Sequence, residues 1–233
     1  MKFSIIIPIH NEEEYLEKFL FDLLKKLKGF HDYEVVLVEN GSSDKTRQLA
    51  RKICKQKKLV RMLTLPEGNY GLAVRTGFLS AKGDYLVLFD LDYYDVGFLK
   101  RGLSMMTDYG AVVGTKLGKG AQDFRPIFRR LGSYFFSFLL KFLFGMKVSD
   151  THGIKVISKK EFTPIIKKTQ FTQDIFDTEL LIRGEYEGKR VGEIGVTVKE
   201  KREARSSFLK RIPRTLKNIF RLKKLLSYEY SNL

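Results

Sequence analysis

Tyr85-Leu86-Val87-Leu88-Phe89-Asp90-Leu91-Asp92 is an apolar run that closes on two carboxylates one residue apart. A run with no polar alternation reads as a strand covered on both faces. Acids at its carboxyl end stand at the edge of a core, and strand alternation turns both toward one pocket. Hard oxygen ligands of this kind suit Mg2+ or Mn2+, which keep waters and bind substrate phosphates. Two solvated acids in the loop after a strand are the plainer alternative. The run by itself leaves both readings open.

Upstream of this strand the chain repeats a strand-then-helix rhythm. Phe3 to Ile9 is apolar and precedes Asn11-Glu12-Glu13-Glu14, where Asn11 can N-cap a helix and Glu14 can close a capping box. The helix carries Leu16, Phe19, Leu20, Leu23, Leu24 and Leu27 at helical spacing. Glu34 to Glu39 forms the next strand, and Ser43 or Asp44 caps a helix bearing Leu49, Ile53 and Cys54. Leu59 to Leu65 is a third strand, and a helix from about Leu72 to Ala81 leads into the Asp90/Asp92 strand. This alternation implies an α/β fold, a mostly parallel sheet with helices on both faces. Ligands in such sheets bind at the carboxyl ends of the strands, where Pro8–Glu12, Glu39–Asn40 and Asp90–Asp92 all fall.

The second half reads differently. A strand Ala111–Thr115 is followed by a Gly- and Lys-rich loop, then by a helix over 126–144 with a narrow polar stripe of Arg130, Ser133, Ser137 and Lys141. Phe135, Phe136, Phe138, Leu139, Leu140, Phe142 and Leu143 fill the rest, so this helix either lies in a membrane interface or is covered by the core. Gly153–Ile157 and Val191–Val198 read as strands and Phe176–Gly188 as a helix. The tail over 208–233 pairs apolar Phe208, Ile212, Leu216, Ile219 and Leu226 with basic Lys210, Arg214, Lys217, Arg221 and Lys224, and Pro213 is placed to start its helix. Such a helix either meets a membrane surface or docks on the domain with a solvated basic face.

The chain has 233 residues, room for one sizeable α/β domain with appendages. Its 43 Lys and Arg against 27 Asp and Glu point to anionic partners: phosphorylated substrates, nucleic acid or an acidic membrane. A Lys-rich proteome gives the same bias without a partner. Nucleic-acid binding would leave the Asp90/Asp92 pair unexplained and ranks last. Cys54 is the sole cysteine, which excludes an internal disulfide and a CxxC site and fits a reducing compartment. Met1 leads straight into a strand, so no secretory signal is expected, and no apolar run is long enough to span a bilayer. The expectation is a cytoplasmic protein, peripheral on the cytoplasmic face of the cell membrane.

Ile5-Ile-Ile-Pro8-Ile-His-Asn11-Glu12-Glu13-Glu14, Val36-Leu-Val-Glu39-Asn40-Gly41-Ser42-Ser43-Asp44, Gly71 to Gly77 to Ala81-Lys-Gly83-Asp84, and Asp90-Leu-Asp92 occur in that order. The series resembles the family 2 glycosyltransferases of the GT-A fold from Phe3 to about Ser207. Ser149-Asp150-Thr-His-Gly153-Ile-Lys155 and Phe176-Asp177-Thr-Glu179-Leu-Leu are similar to the dolichol-phosphate mannose synthase and polyprenyl-phosphate glycosyltransferase branch. The resemblance implies a GT-A domain over 1–207, with a nucleotide-binding half to about 115 and an acceptor half over 116–207. It implies a GDP- or UDP-sugar donor and a polyprenyl or dolichyl phosphate acceptor. Pro8, His10, Glu12, Glu39, Asn40 and Gly71 would line the nucleotide pocket, and Asp90 and Asp92 would hold a divalent cation, Mg2+ or Mn2+.

Lys155 stands where relatives tend to have Arg, and would hold a phosphate. Arg202, Arg205 and Ser206 stand in the loop that closes over the phosphates, without the Gly and Lys of the family pattern. Glu39 replaces an Asp, Asn40 a second Asp, and Tyr94 a Gln, with Asp95 beside it. The implied reaction is one inverting displacement of a hexose, mannose or glucose in class, for which a lipid phosphate needs no strong base. A sugar-hydroxyl acceptor would need a carboxylate base, with Asp150, Asp174, Asp177 and Glu179 as candidates. A silent nucleotide-sugar binder is the third reading.

Overall fold

A computed structural model describes residues 2–199 and 208–230, with side chains from 212 onward in the second stretch. Arg202, Arg205 and Ser206 lie outside the described residues. A seven-stranded sheet has the order β3-β2-β1-β4-β7-β5-β8. Its strands are β1 (Phe3–Ile9), β2 (Tyr33–Asn40), β3 (Val60–Leu65), β4 (Tyr85–Leu88), β5 (Ala111–Thr115), β7 (Lys155–Ser158) and β8 (Val191–Gly195). β1, β2, β3 and β4 pair in parallel, whereas β7 runs antiparallel between β4 and β5. A small parallel ribbon joins β6 (Gln122–Asp123) to β9 (Thr197–Val198). The long Val191–Val198 strand of the sequence reading thus breaks at buried Val196, whose N–H bonds to Thr115 O.

Helices cover both faces, as apolar strands require. On one face α1 (Leu16–Lys26), α2 (Thr46–Gln56) and α4 (Val96–Met105) bury Leu16, Leu20, Ile53, Phe98 and Leu99 against Ile5, Ile7 and Val87. On the other, α3 (Tyr70–Ser80), α5 (Ile127–Phe144), α6 (Lys159–Lys168), α7 (Phe176–Tyr186) and α8 (Phe208–Glu229) close over Ile6, Val36 and Leu88. The basic helix α8 is docked there by Ile219, Leu222 and Leu226, all fully withdrawn from solvent. α5 does two things at once. Leu140 and Phe144 enter the core, while Ile127, Leu131, Phe138 and Phe142 stay exposed on its outer face.

Local readings change at four places. Asn11 is not the N-cap of α1; that place falls to Tyr15, which makes no side-chain cap bond. Asn11 instead adopts a left-handed φ of 54° and its Oδ1 accepts the N–H of Ser43 at 2.9 Å, tying the ends of β1 and β2 together. Neither Ser43 nor Asp44 is the N-cap of α2; that place falls to Lys45, without a side-chain cap bond, while Asp44 Oδ1 accepts the Thr46 N–H at 2.9 Å just ahead of the helix. Pro213 does not start α8 but sits inside it, exposed, where it withholds one N–H from the helix ladder.

The fourth change concerns the Asp90/Asp92 run. β4 ends at Leu88, and Asp90 to Tyr93 is a turn closed by backbone bonds in both directions, each 3.2 Å. Strand alternation therefore does not relate Asp90 to Asp92; the turn does.

Candidate active site

The carboxyl ends of β1, β2 and β4 and the start of α3 meet at one edge of the sheet. Between β2 and α2 the chain turns through Gly41, at φ 64°, where a Cβ would lie 2.7 Å from the Glu67 carbonyl carbon. Only glycine fits both demands. The turn lets Ser42 Oγ accept the Asn11 N–H at 3.0 Å and Thr46 Oγ1 accept the Glu12 N–H at 2.6 Å. Pro8, half-buried in β1, and Glu12, buried, are thereby placed beside the end of β2.

His10 is exposed, and its Nδ1 lies 2.7 Å from the Asn40 carbonyl oxygen. A carbonyl only accepts, so Nδ1 carries a proton in this contact. Asn40 is buried, and its Oδ1 accepts the Asn69 N–H at 2.7 Å. Asn69 caps α3 through Leu72 N–H, which brings Tyr70 and Gly71 to the same edge. Glu39 is buried too, but its carboxylate is taken: Oε1 accepts from Ser42 N–H and Oε2 from Arg47 Nε, both at 2.6 Å. As placed, Glu39 shapes the turn that carries Asn40.

Asp90 and Asp92 are both partly buried in their turn. Part of Tyr70 is exposed at this edge, while burial of its hydroxyl pushes that group well above its usual pKa, and the charges of Asp177 and Asp90 push the same way. Burial likewise raises the Tyr93 hydroxyl, with Asp95, Asp90 and Asp150 adding to it. Negative charge is concentrated here. Asp95 is engaged as the N-cap of α4, accepting from Phe98 N–H at 2.9 Å. Tyr94 turns to α1, where its hydroxyl donates to Asp22 Oδ2 at 2.6 Å. Among the described residues no group of three or more His, Cys, Asp or Glu side chains converges on one point. Two carboxylates in one turn are a donor set that suits a hard divalent cation whose remaining ligands are waters and substrate phosphates, rather than a closed structural site.

The four acids of the second half that the sequence offers as candidate bases each meet a cation. Lys116 Nζ meets Asp150 Oδ2 at 2.6 Å, and Lys155 Nζ meets Asp177 Oδ1 at 2.8 Å. Arg183 Nε meets Glu179 Oε1 at 2.8 Å, and Arg214 Nη2 meets Asp174 Oδ1 at 2.8 Å. Lys155 is fully buried, its second bond going to the Gly153 carbonyl, so the structure places it as a brace between β7 and α7. Asp177 does not cap α7, whose N-cap is Ile175; it answers Lys155 instead. Glu193 joins the group from β8, its Oε1 accepting both the N–H and the hydroxyl of Ser149.

Sequence reasoning missed Asn69, Tyr70, Lys116 and Glu193. Only Asn69 had a signal, an Asn directly before an apolar helix. The others acquire partners far away in the chain.

A seven-stranded α/β sheet, parallel except for β7, with a carboxylate turn after β4 is the architecture of the GT-A class of glycosyltransferases. The profile of glycosyl transferase family 2 matches residues 4–163, and the chain belongs to that family. It is 30% identical to dolichyl-phosphate beta-glucosyltransferase of Mus musculus over 76% of this chain and 61% of that protein. With the Homo sapiens enzyme of that name it shares 28% over 83% of this chain and 66% of the relative. The chain thus spans less than two thirds of either relative's length. Glycosyltransferase AglD of Haloferax volcanii is 25% identical over 83% of this chain and 32% of its own length. These relatives bear out the resemblance to the polyprenyl-phosphate branch. Among solved structures, glucosyl-3-phosphoglycerate synthase from Mycobacterium tuberculosis, in complex with Mn2+, UDP and glucosyl-3-phosphoglycerate, superposes with a TM-score of 0.68. At 19% identity, over 97% of this chain and 79% of the other, that likeness establishes the fold.

Proposed function

We propose that this chain is the catalytic domain of an inverting transferase that moves a hexose, glucose in class, from a UDP-sugar to a polyprenyl phosphate. One observation carries the choice of acceptor. Asp150, Asp174, Asp177 and Glu179, the carboxylates available to deprotonate a sugar hydroxyl, each hold a lysine or arginine. A carboxylate held by a cation is not aimed at an acceptor hydroxyl, as a general base has to be. A lipid monophosphate is already anionic and requires none.

In the proposed reaction an acceptor phosphate oxygen attacks the anomeric carbon from the face opposite the diphosphate. The new bond is from that carbon to the acceptor oxygen; the bond to the β-phosphate oxygen breaks, and UDP leaves with the electron pair. No proton changes hands. Pro8, His10, Glu12, Asn40 and Gly71 are the proposed walls of the nucleotide pocket, with Glu39 holding the turn behind Asn40. A divalent cation on Asp90 and Asp92 would offset diphosphate charge and make UDP a better leaving group. Arg202, Arg205 and Ser206 are the proposed phosphate contacts of the closing loop. The donor is proposed as UDP- rather than GDP-sugar because the dolichyl-phosphate relatives are glucosyltransferases and the solved neighbour holds UDP.

The exposed apolar face of α5 supports delivery of a lipid acceptor. Phe138 and Phe142 are 65% and 77% exposed, and exposed Arg130 and Lys141 stand on the same helix. Apolar groups with flanking cations suit an anionic lipid surface, here proposed as the cytoplasmic face of the membrane. No described helix is long and apolar enough to cross a bilayer. Incubation with UDP-glucose, MnCl2 and a polyprenyl phosphate should yield a lipid-linked, inverted product. Transfer to a soluble glycan but to no lipid phosphate would sink the acceptor assignment, and nucleotide binding without any turnover would sink catalysis.

A further inference from the structure

The segment joining α6 to α7 reaches the nucleotide edge. Thr172 O accepts the Gly71 N–H at 2.9 Å, and Thr172 Oγ1 accepts from Asn69 Nδ2 at 3.0 Å. The approach is so close that a Cβ on Gly71 would stand 2.4 Å from Thr172 O and 2.6 Å from Phe176 Cβ. Asn69 in turn donates its N–H to Asn40 Oδ1. The seat of Asn40 against α3 is therefore set by a segment a hundred residues away.

Two residues after Thr172, Asp174 holds a left-handed φ of 62°, a costly conformation for a residue other than glycine. Its surroundings keep it there. Both carboxylate oxygens accept from Arg214 of α8, and its carbonyl oxygen accepts from His152 Nε2 at 3.1 Å. The His152 ring meets Phe136 of α5 edge-on, with centroids 5.2 Å apart.

We propose that Arg214 is a positioning residue for the nucleotide pocket: through Asp174 it holds the 169–175 segment, which holds Asn69 and Gly71 and so seats Asn40. Helix α8 is then part of the donor site's frame, although none of its described residues reaches that pocket in the contacts above. The effect on ligand affinity rests on the nucleotide reading proposed above; the clamp itself does not.

The test uses the full chain with Asp174→Asn, Arg214→Ala and Arg214→Lys. Asn tolerates the left-handed region, so Asp174→Asn removes the charge without adding strain. Amide exchange followed by NMR should quicken at Asn69 and Gly71 by about three- to five-fold in Asp174→Asn and Arg214→Ala, the scale of a partly exposed ion pair. Exchange at Ile6 and Val36 should stay as in the wild type, and Arg214→Lys should lie between. The Kd for UDP with MnCl2, from calorimetry, should rise by a similar factor. Unchanged exchange at Gly71 would overturn the clamp, as would a uniform rise at every amide. Faster exchange at Gly71 with unaltered UDP affinity would overturn the positioning role. A wild-type chain that binds no UDP would overturn the nucleotide reading, while exchange at Gly71 would still decide the clamp.

Discussion

Glu39 and Asn40 are neighbours in β2, yet their side chains have opposite employment. Glu39 is spent on Ser42 and Arg47, whereas Asn40 links His10 to Asn69 at the edge of the sheet. Nothing in the order Val38-Glu39-Asn40-Gly41 distinguishes them, because the partner of each is decided by how the turn folds. The carboxylates of the Asp90 turn were legible as acids at a strand's end; that they share a turn rather than a strand face was not. Asp92→Ala should abolish the Mn2+-dependent part of the thermal shift given by UDP, a shift worth about 2.7 kcal/mol at a hundredfold excess over Kd. A shift of wild-type size would count against the metal assignment. Glu34 offers a test away from the site. Burial alone would raise its carboxyl, but Arg61, Ser4 and the Lys82 N–H together hold it down at about 2, against an ordinary 4.5. A folded-state value below the unfolded one stabilises fully at pH well above 4.5 and is lost as pH falls toward 2. Glu34→Gln should therefore cost about 2 kcal/mol in urea unfolding at pH 7 and almost nothing near pH 2.

Element by element, the strands were the most legible, since unbroken Ile, Val and Leu runs have few other uses in a chain of this composition. β7 shows the limit. Its residues read as a strand, but nothing local states that Lys155–Ser158 runs antiparallel between two otherwise parallel neighbours. Helix α5 was ambiguous for a physical reason: an apolar surface broken only by a narrow polar stripe serves a core and a membrane interface equally well. Tertiary packing uses both, burying Leu140 and Phe144 and leaving Phe138 and Phe142 outside. Replacing Phe138 and Phe142 together by Glu should reduce cosedimentation with anionic vesicles by at least about tenfold, with the melting temperature within about 2 °C of wild type. Undiminished sedimentation would remove α5 from the membrane contact. Pro213 misled because proline favours a first helical turn. The chain before it continues the helix anyway, anchored further along by Ile219 and Leu222.

At the scale of the whole molecule, the second half and α8 close the fold over the first. Among the described residues Arg183 is one of the largest side chains fully withdrawn from solvent, and it bonds Glu179 within α7 and Glu229 at the end of α8. Glu179 also accepts the N–H groups of Gln170 and Phe171, so the same carboxylate anchors the segment that touches Asn69 and Gly71. Arg183→Met would leave the Glu179 charge buried and unpaired, at a cost of about 3–5 kcal/mol. Against a total stability of roughly 5–15 kcal/mol, that should lower the melting temperature steeply, and an unchanged value would refute the account. What the sequence determined by itself was local: hydrophobic period, the strand–helix alternation and an ordered series of motifs, all carried by neighbours in the chain. The tertiary structure alone decided which acids meet which cations. Those pairs form between residues such as Lys155 and Asp177 or Asp174 and Arg214, brought together by packing rather than by spacing.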